Sequence, residues 1–174
     1  DLAEIASNIK SYSIENLYMA LCTVLERHCW CVPASTVRKD KNGKFTPDSG
    51  SISLYDHMRT TSAIATALYS YHCDKNTMSV ESINKRTESK FCFIQGDFSG
   101  IQDFIFDSGG ESNKFAAKIL RAKSFFVSMA TEAAAYSLCD EINIPYSSIT
   151  MNAGGKFTII AGNTAKVRDA VQKI

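Results

Sequence analysis

The residues best suited to chemistry lie in Gly96–Phe106, GDFSGIQDFIF. Asp97 stands just beyond the short apolar, aromatic-rich run Phe91-Cys92-Phe93-Ile94, and Ser99-Gly100 follows it before a helical pattern begins. A carboxylate delivered at the end of a buried strand can hold a divalent cation. Backbone amides exposed around Ser99 and Gly100 can cradle phosphates. The same residues admit a plainer role, in which Gly96 and Gly100 permit a tight turn and Asp97 caps a helix.

Other candidates are weighed in the same way. Lys118, Arg121 and Lys123 stand near the start of a long helical pattern and could meet phosphate or RNA, yet basic side chains on an exposed helix face are as often without a ligand. Lys39, Lys41 and Lys44 sit in RKDKNGKFTPDSG, residues 38–50, where Asn42-Gly43 and Pro47 are turn chemistry, so a solvated loop outweighs a phosphate contact. His57 falls at the edge of an apolar helical stripe, and the chain has only His28 and His72 besides, which favours a partly buried, hydrogen-bonded histidine over a metal ligand. Cys29 and Cys31 beside His28 are spaced too tightly for a structural zinc pair, with no second pair following.

These groups must be positioned by a small set of elements. From Phe91 the apolar run reads as a strand covered on both faces. After the connection Ser108–Asn113, Ala116 to about Asp140 is the longest helical pattern, with Ile119, Phe126, Ala130, Ala133 and Ser137 on one side. Beyond Pro145, Ile149–Met151 and Lys156–Ala161 read as strands joined by the turn Asn152-Ala153-Gly154-Gly155. Asn163 or Thr164 then caps a final helix through Val167 and Val171. The order strand, helix, strand, strand, helix is that of a ferredoxin-like sheet one strand short at Ile174, so the segment is expected to end inside a domain.

Upstream, the apolar spacing from Ile9 to about Val32, ended by Pro33, predicts one amphipathic helix. A second runs to about His72, begun by Ser53 and Asp56 in an arrangement close to a capping box. Residues 74–90, DKNTMSVESINKRTESK, are polar and read as an interdomain linker.

Bulk properties bound these readings. With 45% hydrophobic and 21% charged residues among 174, the chain buries a core and is not a disordered tail. A net charge of +1 gives no global attraction to nucleic acid or anionic membrane, so such binding must be local. Six cysteines without a disulfide spacing, no apolar run of membrane length, and a start at Asp1-Leu2-Ala3-Glu4 that lacks a basic region before an apolar one lead us to expect a soluble, cytoplasmic protein.

Four segments agree in order and spacing: 51–71 (SISLYDHMRTTSAIATALYSY), 96–106 (GDFSGIQDFIF), 119–126 (ILRAKSFF) and 153–157 (AGGKF). Together they resemble the large signature subunit of type III-A (Csm) CRISPR effector complexes. The first resembles the closing helix of that family's HD domain, and the other three its first Palm, a nucleotidyl-cyclase-like domain. The fold class implied is α+β: residues 1–73 are the C-terminal helical part of an HD-type domain, 74–90 a linker, and 91–174 the first Palm, incomplete. The resemblance implies a subunit that works with CRISPR RNA and the other type III-A subunits, senses target RNA and makes cyclic oligoadenylates from ATP. Its HD domain often cleaves single-stranded DNA.

In that family two ATP molecules sit between two Palms, and a metal-binding Gly-Gly-Asp-Asp turn belongs to the second. Here the equivalent turn is Gly154-Gly155-Lys156-Phe157. A lysine cannot replace a carboxylate on a metal because it brings positive charge. The resemblance therefore implies a non-catalytic Palm, with Mg or Mn expected in the second Palm and not in this segment. Asp97, Phe98, Ser99, Gly100, Gly154, Gly155 and Lys156 would bind nucleotide, and Lys118, Arg121 and Lys123 would contact RNA or another subunit. No catalytic residue and no metal ligand are assigned. Asp56-His57 reverses the family's His-Asp doublet and lies on the closing helix, so no nuclease ligand is carried to it. Two other classes stand beside the ATP-using reading: an assembly scaffold that touches RNA without binding nucleotide, and a stand-alone ferredoxin-like domain with a regulatory site.

Overall fold

The computed structural model describes residues 2–34, 38–46, 52–107 and 115–173. Two compact units divide the chain, Asp1–Arg59 and Thr60–Ile174.

In the first unit, helices α1 (Leu2–Asn8) and α2 (Ile14–Cys29) are separated by a 3-10 turn, Ile9–Ser11, and by extended backbone at Tyr12. The single helix expected over Ile9–Val32 is thus split. The reason is local: the Ser13 hydroxyl accepts a hydrogen bond from the Asn16 amide, capping a new helix start that periodicity alone does not reveal. Residues 38–46, expected as a solvated loop, form a small ladder. Strands β1 (Arg38–Lys39) and β2 (Phe45–Thr46) form a two-stranded ladder around a turn at Gly43, and Asp40 Oδ1 accepts from the Asn42 and Lys44 amides at 2.8 and 2.9 Å. Pro47–Ser51 lies outside the described residues. Helix α3 (Leu54–Asp74) opens as expected: the Ser53 hydroxyl accepts from the Asp56 amide at 2.9 Å and donates to the Asp56 carboxylate. His57 is exposed.

The second unit is built on a three-stranded antiparallel sheet of β3 (Phe91–Asp97), β4 (Ile149–Ala153) and β5 (Lys156–Gly162), with β5 in the centre. Cys92, Ile94 and Gly96 of β3 oppose Ala161, Ile159 and Phe157 of β5, and strand alternation puts all six on one face. That face packs on α6 (Ala116–Ile142) and α7 (Ala165–Gln172), where Ile94, Ile159, Ala161, Ala135, Leu138, Ile142, Val167 and Ala170 make the core. Gly96 is needed for this packing: a Cβ there would lie 2.1 Å from Cε1 of the Phe157 ring. Its role is close approach within a strand, not the turn expected of it.

The opposite face is only partly covered. Ala63 and Ala67 of α3 pack on Ile160, and Gly162 lets the helix backbone approach so closely that a Cβ would sit 2.7 Å from the Ala67 carbonyl oxygen. Phe93 remains 69% exposed. The expectation of a strand covered on both faces therefore fails at β3: its aromatic residues alternate outward while Ile94 alternates inward, and the run is too short for periodicity to separate the two cases.

Two further differences are instructive. The polar stretch 74–90 contains the short helix α4 (Val80–Asn84), begun by Ser79, and buried Lys90 donates to the Ser82 and Ile83 carbonyls near its end. On α6 the buried stripe is Val127, Thr131, Ala135, Leu138, Cys139 and Ile142, whereas Ile119, Phe126, Ala133 and Ser137 are exposed. The helix carries apolar residues on both sides, so spacing cannot choose between them. The last helix starts as one of the two expected caps requires, with the Val167 amide donating to the Thr164 hydroxyl. Cys139 is wholly buried, and burial, with Asp140 next to it, pushes its thiol up to about 12. Among the described residues no helix is long and apolar enough to cross a membrane.

Candidate functional site

The candidate site forms where β3 ends and β5 begins. Asp97 and Lys156 are register partners at the last rung of the ladder, so their side chains emerge from the same, open face of the sheet. Lys156 Nζ stands 3.2 Å from Asp97 Oδ2, with the two side chains 60% and 57% exposed. An ion pair this open contributes about 0–1 kcal/mol to folding. Its interest is chemical: the cation that faces the carboxylate across the ladder is the Lys156 ammonium.

The backbone then locks two loops together. The Phe98 amide donates to the Gly155 carbonyl oxygen at 2.8 Å, tying the Phe98-Ser99-Gly100 loop to the β4–β5 turn. Gly154 and Gly155 take φ of +62° and +81°, as a two-residue turn with the twist of an antiparallel hairpin demands. Gly155 is doubly constrained, because a Cβ there would stand 2.1 Å from Cδ1 of Ile101 and 3.3 Å from Cγ1 of Val127. Gly100, at φ +73°, is the N-cap of α5 (Ile101–Phe106) and has open space around it. Ser99, Gly100 and Gly154 are exposed, Phe98 is half-buried, and Gly155 is buried.

Seven residues separated by up to about sixty positions thus converge: Asp97, Phe98, Ser99 and Gly100 on one loop, Gly154, Gly155 and Lys156 on the facing turn. The arrangement offers backbone amides and one ammonium to an anion. It does not fit a divalent cation, which wants several hard oxygen ligands, since a single carboxylate is already paired with a positive charge. Among the described residues no three His, Cys, Asp or Glu side chains gather as a metal site.

The basic residues of α6 are not brought into this convergence. Lys123 Nζ donates to the Asp107 carbonyl oxygen at 2.7 Å and lies 5.4 Å from the Phe104 ring centre, binding α6 to the end of α5. Arg121 Nε donates to Ala117 of its own helix, and Lys118 lies over the Phe115 ring at 5.6 Å. Sequence reasoning missed Ile101 and Val127, which hold Gly155, and a file of rings leading from the loop into α6: Phe98 to Phe104 at 6.3 Å, then Phe104 to Phe126 at 5.7 Å. The signal available was the aromatic spacing in GDFSGIQDFIF, with Phe98, Phe104 and Phe106 in nine residues.

Comparisons with known proteins agree with this architecture. Residues 90–174 match the family model described as Csm1 subunit domain B. A curated relative from Methanocaldococcus jannaschii, described as a CRISPR system single-strand-specific deoxyribonuclease Cas10/Csm1 of subtype III-A, is 33% identical over 169 residues, which cover 88% of this chain and 21% of the relative. A solved Csm1–Csm4 cassette in complex with one ATP superposes with a TM-score of 0.66 at 34% identity, over 88% of this chain and 18% of that one. The cassette in complex with cA3 gives the same TM-score and identity, over 88% and 19%. The chain therefore spans about a fifth of the length of these proteins.

Proposed function

Because this chain belongs to the Cas10/Csm1 family of type III-A CRISPR effectors and carries its domain B, we propose that it forms the metal-free half of a nucleotide pocket in the large effector subunit. In this reading the Phe98-Ser99-Gly100 loop and the Gly154-Gly155 turn receive the triphosphate of one ATP. Lys156 neutralises phosphate charge, and Asp97 holds the lysine at the mouth of the pocket. A second Palm, elsewhere in the subunit, supplies the acidic turn and its Mg or Mn. The whole subunit then joins ATP into cyclic oligoadenylates when the effector, loaded with CRISPR RNA, meets target RNA, and its HD domain cleaves single-stranded DNA.

The observation that carries the reading is the convergence of Asp97, Gly155 and Lys156 through one ion pair and one backbone hydrogen bond. Solved relatives that hold ATP or cA3 support it. The test is ATP binding by the full-length subunit in complex with its partner, followed by isothermal titration with wild type and with Gly100→Val. Valine at φ +73° distorts the loop, so a loss of ATP binding is expected while assembly persists. Unchanged ATP affinity in a folded variant would remove the loop from the pocket.

A second reading, a scaffold that contacts RNA or another subunit without binding nucleotide, draws on the exposed basic residues Lys118 and Arg121 of α6. Lys118→Ala with Arg121→Ala separates the two. Loss of assembly or RNA binding with ATP binding intact belongs to the scaffold role, and unchanged assembly and RNA binding would overturn it.

A further inference from the structure

Helix α5 does not set its own position. Its six residues are far fewer than a helix needs to persist by itself in water. Its N-cap Gly100 makes no side-chain hydrogen bond, and its last turn carries no basic residue to meet the terminal carbonyls. What orients it must come from neighbouring elements.

At the start of α5, Ile101 leans on the hairpin turn, with its Cδ1 2.1 Å from the place a Cβ on Gly155 would take. In the middle, the Phe104 ring lies 6.3 Å from that of Phe98 and 5.7 Å from that of Phe126. At the end, Lys123 of α6 meets both the backbone and a side chain of this segment. Its Nζ donates to the Asp107 carbonyl oxygen at 2.7 Å and stands 5.4 Å from the Phe104 ring centre. Lys123 thus brings from another helix the cation that the last turn of α5 lacks. The Ile101 and Phe104 contacts are apolar and non-directional, so they let a short helix slide or roll, whereas an ammonium bonded to one carbonyl oxygen fixes where the helix ends.

The loop at the other end inherits that position. Phe98, Ser99 and Gly100 lead directly into α5, and the Phe104 amide donates to the Gly100 carbonyl oxygen at 2.9 Å. The Phe98 amide holds the loop to the Gly155 carbonyl oxygen on its far side. A displacement of α5 therefore shifts the loop amides against the Gly154-Gly155 turn, and anion recognition by backbone amides depends on that mutual placement. At 1.5 Å per residue the helix is about 9 Å long, so Lys123 anchors the end remote from the loop.

We propose that Lys123 is a positioning residue for the nucleotide site: by anchoring the end of α5 it fixes the Phe98-Ser99-Gly100 loop and so sets the affinity for the triphosphate of ATP, without touching the nucleotide. The inference rests on the nucleotide reading above. It assigns Lys123 a role within the domain, apart from the RNA or subunit contact that its place on α6 suggests in the sequence.

The test compares Lys123→Met, which keeps an unbranched stem and removes the ammonium, with Lys123→Arg, which keeps a cationic donor, in the full-length subunit within its effector complex. Without nucleotide, amide exchange over residues 98–106 is expected to rise roughly tenfold in Lys123→Met, the scale of one hydrogen bond from a charged group, while β3 and β5 keep their protection. Isothermal titration with ATP should show a Kd raised by a similar factor, and Lys123→Arg should restore both readouts. Weaker ATP binding with unchanged exchange would make Lys123 a direct phosphate contact and overturn the proposal. So would an arginine variant that behaves like the methionine one. Gly100→Val, measured in parallel, separates this inference from the reading beneath it. Affinity lost in Gly100→Val and kept in Lys123→Met overturns the positioning role alone, whereas affinity kept in both overturns the nucleotide reading and the inference with it.

Discussion

Lys156 Nζ lies 3.2 Å from Asp97 Oδ2 across the last rung between β3 and β5, so the carboxylate that ends β3 is paired with an ammonium. The relationship makes the two residues separable by experiment, because each predicts a different consequence for phosphate binding.

If the ammonium meets phosphate, Lys156→Ala should weaken ATP binding by the full subunit roughly tenfold, the scale of one charge-assisted hydrogen bond. Stability should fall by no more than about 1 kcal/mol, since the pair is open to water. Asp97→Asn removes a negative charge beside the phosphates and is expected to bind ATP as well as or better than wild type. Titration calorimetry and thermal melts of both variants read this directly, and an Asp97→Asn defect as large as that of Lys156→Ala would mean that Asp97 acts through a cation.

Gly96 and Phe157 should be energetically coupled. A Cβ at Gly96 would stand 2.1 Å from Cε1 of the Phe157 ring, so Gly96→Ala is expected to cost about 1–3 kcal/mol through overpacking. Shortening the ring in Phe157→Leu should relieve part of that cost. A double-mutant cycle by denaturant unfolding measures the coupling, and strictly additive effects would contradict the packing described.

The two turn glycines should differ. Both have positive φ, so an alanine at either position incurs about 1 kcal/mol of backbone strain. Gly154 has open space around it, whereas a Cβ at Gly155 meets Ile101 and Val127. Gly155→Ala is therefore expected to lower the melting temperature clearly more than Gly154→Ala, and an equal drop would show that the Ile101 contact yields freely.

Cys139 should make the fold sensitive to alkali. Its native thiol ionises only near 12, against an ordinary value of 9, because burial disfavours the thiolate. The unfolded chain thus releases this proton first as pH rises. The stability held by the neutral thiol is complete below about pH 9 and is lost progressively towards about pH 12. Unfolding free energies measured across that window should fall less steeply in Cys139→Ala, and at pH 8 a thiol reagent should modify exposed Cys31 and Cys73 while sparing Cys139.

Local chemistry was legible in the sequence wherever one residue decides one backbone state. Ser53 with Asp56, Thr164 before Val167, and the paired glycines 154 and 155 act through bonds within three residues, so their types alone announced a helix start, another helix start and a tight hairpin. The order of strands and helices from Phe91 followed, and with it the α+β class. What tertiary structure decided was which side of each element is inside. Helix α6 is apolar on two faces and β3 carries aromatics on one face and Ile94 on the other, so spacing supplied no sign, and only the packing of Val127, Ala135 and Ile159 chose. The ion pair of Asp97 with Lys156 belongs to the same class. The partners stand fifty-nine positions apart in the sequence, and strand register, fixed by the burial of Ile94 against Ile159, is what brings their charges together.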